Sequence, residues 1–209
     1  MIRAIFGGTF DPIHNGHLQT AAALVKELGI STLALMPSAV PPHRPQPDAS
    51  PEQRLDMVNL ASQYHKAFTV EDWELRQDRP SFTANTLSEF KTQFPDDTLL
   101  FVMGMDSLMS LHRWHHWRQL IECAHLVVMP RAGVPFNPKN DELKEFISVH
   151  LTRDKNALNT QSQGLLYIAE TPMVDVSATE LRKQLQQREK NLPLPSNVYN
   201  YIRQHQLYL

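Results

Sequence analysis

Residues 7–17 read Gly7-Gly8-Thr9-Phe10-Asp11-Pro12-Ile13-His14-Asn15-Gly16-His17, directly behind an apolar run. Two imidazoles stand three positions apart, just after a pair of glycines. Glycines let peptide N–H groups approach a ligand closely. A helix opening near Gly16 or His17 would turn its partly positive end to the same space. His14 and His17 can both aim donors there, which suits the oxygens of a phosphate chain. The spelling is neither GxGxxG nor GxxxxGK[ST]. An H-x-x-H pair also suits a metal, but only Asp11 stands nearby as a third ligand, so phosphate is the better reading. A second anion site is legible at Ser177-Ala178-Thr179-Glu180-Leu181-Arg182. Ser177 and Glu180 predict a helix capping box, with Arg182 one turn in.

These residues need elements to position them. Short runs rich in Val, Ile, Leu and Phe occur at 2–6, 32–36, 68–70, 99–103, 125–129 and 165–169. Such runs predict strands covered on both faces. Between the first two, Leu18, Ala21, Ala22, Leu24, Val25 and Leu28 fall at helical spacing and stop at Gly29. Ser50-Pro51-Glu52-Gln53 predicts a helix start with Pro51 at its first position. Helices are also expected over 83–94, over a broken region after Asp106 that includes 114–124, and over 176–187 and 196–205. Strand–helix–strand repetition implies a parallel sheet with right-handed crossovers, a doubly wound α/β fold. The expected order is 3-2-1-4-5 plus a sixth strand, in one domain over 1–209 with 176–209 as a small helical annex. The loops after strands one, four, five and six then leave the same sheet edge, bringing Gly104, Asp106, Arg131 and Ser177 towards the histidines at a switch point. Prolines crowd 37–51, 130–138 and 193–195, which read as ordered loops or lids.

Composition sets outer bounds. The 209 residues carry 20 Lys and Arg against 22 Asp and Glu, a formal charge of −2, which argues against wrapping nucleic acid or coating an anionic membrane. The single cysteine, Cys123, excludes an internal disulfide framework and reads as inert packing. No stretch approaches eighteen apolar residues, so no spanning helix is expected, and a reducing, cytoplasmic setting fits. The run His112-Arg113-Trp114-His115-His116-Trp117 mimics a nucleic-acid patch, which the overall charge disfavours.

The G-G-T-F-D-P-x-H-x-G-H stretch resembles the signature of the nucleotidylyltransferase superfamily, whose H-x-G-H binds a nucleotide triphosphate. The superfamily's second signature, S-[ST]-T-x-x-R, is matched at 177–182 with Ala178 in its second place. Arg79-Pro80-Ser81-Phe82-Thr83-Ala84-Asn85-Thr86-Leu87, Gly104-Met105-Asp106-Ser107 followed by Trp114, and Pro41-Pro42-His43-Arg44 are similar to bacterial nicotinate-mononucleotide adenylyltransferases. The resemblance implies a Rossmann-like fold and transfer of the adenylyl group of ATP to nicotinate mononucleotide, within NAD biosynthesis. It implies catalytic roles for His14, His17 and Arg182. ATP would lie on Gly7, Gly8, Thr9, Phe10 and the histidines, with Gly104, Asp106, Arg131, Ser177, Thr179 and Arg182 around it. The mononucleotide would lie on Arg44, Phe82, Thr83, Thr86 and Trp114. Mg²⁺ would be bound mainly through substrate phosphates, without a dedicated protein site. Partners would be the two substrates, with no nucleic acid and no membrane; the oligomeric state stays open. A phosphopantetheine, CTP-using or nicotinamide-mononucleotide relative, or a non-catalytic nucleotide sensor, are the alternatives.

Overall fold

Neighbouring side chains on a strand point to opposite faces, so a run with consecutive apolar residues must be covered on both sides. The first run becomes β1 (Ile2–Gly8), which sends Ala4 and Phe6 into one core layer and Ile5 into the other. In the computed structural model, residues 1–39, 45–77 and 82–209 are described. The further strands are β2 (Leu33–Pro37), β3 (Phe68–Val70), β4 (Thr98–Gly104), β5 (His125–Met129), β6 (Leu151–Thr152) and β7 (Leu166–Ile168). Among the described residues they form one sheet in the order 3-2-1-4-5-7-6, and every pairing is parallel. It is the expected Rossmann-like sheet with one strand more. The run at 165–169 pairs with β5 as β7, and β6, too short to show a pattern, adds the outer edge.

The helices are α1 (Asn15–Leu28), α2 (Pro51–Ser62), α3 (Thr83–Gln93), α4 (Met105–Met109), α5 (Leu120–Cys123), α6 (Asp141–His150), α7 (Ala157–Thr160), α8 (Ala178–Gln186) and α9 (Ser196–Gln204). The start of α2 follows its sequence: Ser50 Oγ accepts from Gln53 N–H while Gln53 reaches back to Ser50 N–H. The region after Asp106 is more broken than expected. Two 3₁₀ turns, Leu111–Arg113 and Trp117–Gln119, lie between α4 and α5, and His116 sits at φ 49. Helix α6 stands where no element was expected, although Asn140 caps Leu143 N–H and Leu143, Phe146 and Ile147 supply its buried stripe.

One core layer joins α1, α2, α8 and α9 to the sheet; the other is covered by α3, α5 and α6. Leu181, Leu185, Val198 and Ile202 share the first layer with Leu24 and Met57. Helices α8 and α9 therefore pack their apolar faces into the main core. In the β1–β2 and β4–β5 registers, Gly8 lies beside Pro37 and Gly104 beside Met129. All four residues end their strands at the edge where the chain diverges to opposite faces. No described helix is long and apolar enough to cross a membrane.

Candidate active site

The turn out of β1 is shaped by a phenylalanine. Phe10 takes a left-handed φ of 49, a conformation costly for a residue with a Cβ, and its ring is buried against Phe6 and His17 at centroid distances of 5.3 and 5.2 Å. A Cβ on Gly8 would come within 2.7 Å of that ring. Gly8 thus makes room for Phe10, and the turn itself is made by the phenylalanine.

Helix α1 then begins with an unusual reciprocal cap. His17 N–H donates to His14 Nδ1, and His14 N–H donates to His17 Nδ1, each at 3.3 Å. The two rings stack with centroids 3.6 Å apart and planes 20° apart. A Cβ on Gly16 would lie 3.0 Å from His14 Nδ1, so a larger residue would press on the ring. The chemistry follows from the cap. A neutral imidazole whose Nδ1 accepts must carry its proton on Nε2. Burial, reinforced for His14 by its neighbour and for both by the Arg131 charge, keeps the pair neutral: His17 is lowered to about 3 and His14 further still. Both rings therefore present an Nε2–H donor. That of His14 is buried and has no partner among the described residues.

These donors face a cavity of about 540 Å³. Gly7, Gly8, Thr9 and Phe10 line one wall with His14 and His17. Gly104, Asp106 and Arg131 supply the next, and Ser177, Thr179 and Arg182 close it from α8. Every residue expected at the ATP site lines this cavity. One local expectation needs correction, at α8. Asp106 sits in the first turn of α4, behind Gly104 at the N-cap position, and accepts from Arg131 Nη1 at 3.1 Å. Its carboxylate folds back to within 2.6 Å of where a Gly104 Cβ would be. Ser177 holds the N-cap position of α8, yet its side chain makes no capping bond. The predicted box does not form, and the helix turns its first peptide N–H groups to the cavity without that cover.

Arg182 is aimed by Asp11 of the first motif and by Asp48, which belongs to neither motif. Its Nη1 donates to the Asp11 carbonyl at 2.7 Å and its Nε pairs with the Asp48 carboxylate at 2.7 Å. The buried Asp11 carboxylate in turn accepts from the N–H groups of Asp48 and Ala49 and from Tyr208 Oη at 2.6 Å. Burial and the carboxylate together push the Tyr208 phenol up, so it stays a donor. Sequence reasoning considered Asp11 only as a metal ligand and missed Asp48 and Tyr208. No local pattern marks a residue whose partner is 197 positions away. Among the described residues no three His, Cys, Asp or Glu side chains gather to hold a metal.

Of the residues expected at the mononucleotide, Phe82, Thr83, Thr86 and Trp114 lie outside this cavity's lining. Phe82 holds the N-cap position of α3, Thr83 opens the helix, and Thr86 is buried in its first turn. The Phe82 ring meets His115 at 4.2 Å, and His115 follows Trp114, half-buried against the second core layer. Arg44 falls outside the described residues, as do Pro41, His43, Arg79 and Ser81. Cys123 is half-buried, and burial pushes its thiol pKa up, in keeping with inert packing.

Other proteins resemble this chain over nearly its whole length. The cytidylyltransferase-like family matches over residues 5–184. A probable nicotinate-nucleotide adenylyltransferase of Idiomarina loihiensis is 99% identical over 209 residues, covering 100% of both chains. A protein of the same description from Pectobacterium atrosepticum is 43% identical over 209 residues, or 99% of this chain and 98% of that one. The solved structure of Plasmodium falciparum nicotinic acid mononucleotide adenylyltransferase complexed with NaAD shares the fold. Its TM-score is 0.72 at 18% identity, over 98% of this chain and 96% of that one. With likeness of this extent running from β1 through α9, the chain belongs to the cytidylyltransferase-like family and, within it, to the nicotinate-nucleotide adenylyltransferases.

Proposed function

We infer that the protein transfers the adenylyl group of ATP to nicotinate mononucleotide, releasing pyrophosphate and forming nicotinate adenine dinucleotide. An oxygen of the mononucleotide's 5′-phosphate attacks the α-phosphorus as the bond to the β-phosphate oxygen breaks. The attacking oxygen is already ionised, so the transfer calls for positioning and charge stabilisation, with no proton to remove. The reciprocal imidazole cap is the observation that carries this reading. It commits both Nδ1 atoms as acceptors and leaves two neutral Nε2–H donors where α1 begins, a poor base and a good oxyanion binder. The N-terminus of α8, with Arg182, supports the departing pyrophosphate from the far wall. Arg131 adds a second cation beside the histidines. Mg²⁺ is proposed to travel with the nucleotide phosphates, since the cavity carboxylates Asp11 and Asp106 already serve the chain's own donors.

The acceptor's carboxylate is proposed to bind where α3 opens. The first turn of α3 contains no acidic residue, and Phe82 offers no side-chain cap to its N–H groups. A carboxylate only accepts, whereas a carboxamide would turn its NH₂ on some of those donors. Charge-assisted bonds contribute about 1.5–3 kcal/mol and the helix end about 0.3–1. The sum corresponds to roughly a 30- to 1,000-fold preference for the acid. Pyrophosphate release from ATP and Mg²⁺, read as kcat/KM for nicotinate and nicotinamide mononucleotides, tests both steps. A preference below about tenfold would refute the α3 pocket. Absence of release with either acceptor would make the protein a nucleotide sensor.

A further inference from the structure

Two charged side chains are buried away from the cavity wall, and neither belongs to a motif. Arg54, on α2, is 0% exposed, and Glu74, in the 3₁₀ turn Trp73–Arg76 after β3, is 4% exposed. Burying such charges is costly unless each is paired and hydrogen-bonded. Both bond to one peptide group. Arg54 Nη1 donates to the Ser38 carbonyl at 2.7 Å, and the N–H of the same peptide unit, on Ala39, donates to Glu74 Oε2 at 3.3 Å. The peptide just after β2 is thus held between a cation at its oxygen and an anion at its nitrogen. Each end of this bridge goes on to a substrate region. The same Arg54 Nη1 donates to the Thr9 carbonyl at 2.7 Å, in the loop beneath the triphosphate cavity. Glu74 Oε1 accepts from Thr86 Oγ1 at 2.9 Å, in the first turn of α3. One line of bonds therefore joins Thr9, Arg54, the 38–39 peptide, Glu74 and Thr86.

We propose that Arg54 and Glu74 are positioning residues for the transfer, a peptide-bridged ion pair that keeps the nucleotide loop and the mononucleotide helix in register. The proposal rests on the reading that α3 receives the mononucleotide. The in-line attack needs the two substrates' phosphates at a fixed separation, and a misplacement of about 1 Å costs on the order of 100-fold. The bridge sets that separation from below. A charge on Arg54 also polarises the Thr9–Phe10 peptide, whose N–H belongs to the turn lining the cavity. The remaining Arg54 donors, Nε and Nη2, have no partner among the described residues, so the work falls on Nη1.

The test compares Glu74→Gln, Arg54→Lys, Arg54→Met and the Arg54→Met/Glu74→Gln double variant, assayed well below their melting temperatures. Glu74→Gln keeps shape and loses charge. Its KM for nicotinate mononucleotide should rise roughly tenfold or more, with KM for ATP within about twofold. Arg54→Met should raise both, and Arg54→Lys, which keeps the charge, should recover most of the loss. In the Arg54→Met background, Glu74→Gln should add far less than it does alone, because the pair is already broken. Folded variants with lowered melting temperature and an unchanged mononucleotide KM, or strictly additive effects, would overturn the bridge. Trp114→Ala, run in parallel, separates the failures. If it raises mononucleotide KM while Glu74→Gln does not, the bridge alone falls; if neither does, the α3 reading falls with it.

Discussion

His14 and His17 are held uncharged in the folded chain, and that has a measurable sign. In the unfolded chain each titrates near its ordinary value of 6.5, whereas in the fold His17 is lowered to about 3 and His14 below it. Between those values the unfolded chain binds protons that the folded chain refuses. Stability from this pair is therefore complete above pH 6.5 and is lost as pH falls towards 3. Melting temperature should drop on acidification from about pH 7 to about pH 4.5, and His17→Gln should flatten the curve. Glutamine at this position can still reach back to the His14 N–H, so the cap survives without the titration. For catalysis, His17→Ala should lower kcat roughly 10²–10³-fold with the fold intact. Near-normal turnover in a folded variant would remove His17 from the site. The histidines were legible because their spacing coincides with a glycine pair and a helix start. The protonated nitrogen was not, since it depends on two bonds that exist only once the rings stack.

Helix α8 makes a prediction in which stability and activity move in opposite directions. Thr179 is exposed at its second position, and Ser177 leaves the helix end without a side-chain cap. A negative charge there favours the helix by about 0.3–1 kcal/mol. The same charge would oppose the nucleotide's phosphates. Thr179→Glu should thus hold or raise the melting temperature while raising the KM for ATP roughly tenfold or more; parallel changes in both would show that this helix end does not face the phosphates. The helix was legible as an element, but its capping box was not borne out, because the Ser177 side chain is turned from the bond that the spacing suggested. Helix α6 shows the reverse. Its Asn140 cap, its early Asp141 and Glu142, and its apolar spacing are all present in the sequence, directly behind a proline-dense stretch. Arg54 had a signal too: it begins the buried stripe that Met57, Val58 and Ala61 continue along α2.

At the scale of the whole molecule, the first motif is finished by residues from distant parts of the chain. Tyr208 Oη gives the buried Asp11 carboxylate a bond at 2.6 Å, and Asp11 holds the segment that presents Asp48 to Arg182. Tyr208→Phe should leave that carboxylate short of a donor and cost about 1–3 kcal/mol. For a chain of this length that lowers the melting temperature by roughly 2–12 °C. ATP affinity should weaken with it, and an unchanged melting temperature would show the bond to be idle. The sheet order could be read from alternating runs, since each crossover is local. This latch could not, because nothing near Asp11 names its partners. Those partners lie 37, 38, 171 and 197 positions along the chain. Closing the longest of these spans costs about 1.5 kcal/mol more chain entropy than the shortest, and contacts of such separation form slowly. The strand pairings next to β1 can assemble while Asp11 is still unlatched. A refolding chain should accordingly regain its far-ultraviolet helical signal before it regains the capacity to hold a nucleotide. The loop behind β1, encoded early in the chain, should then be a late product of folding.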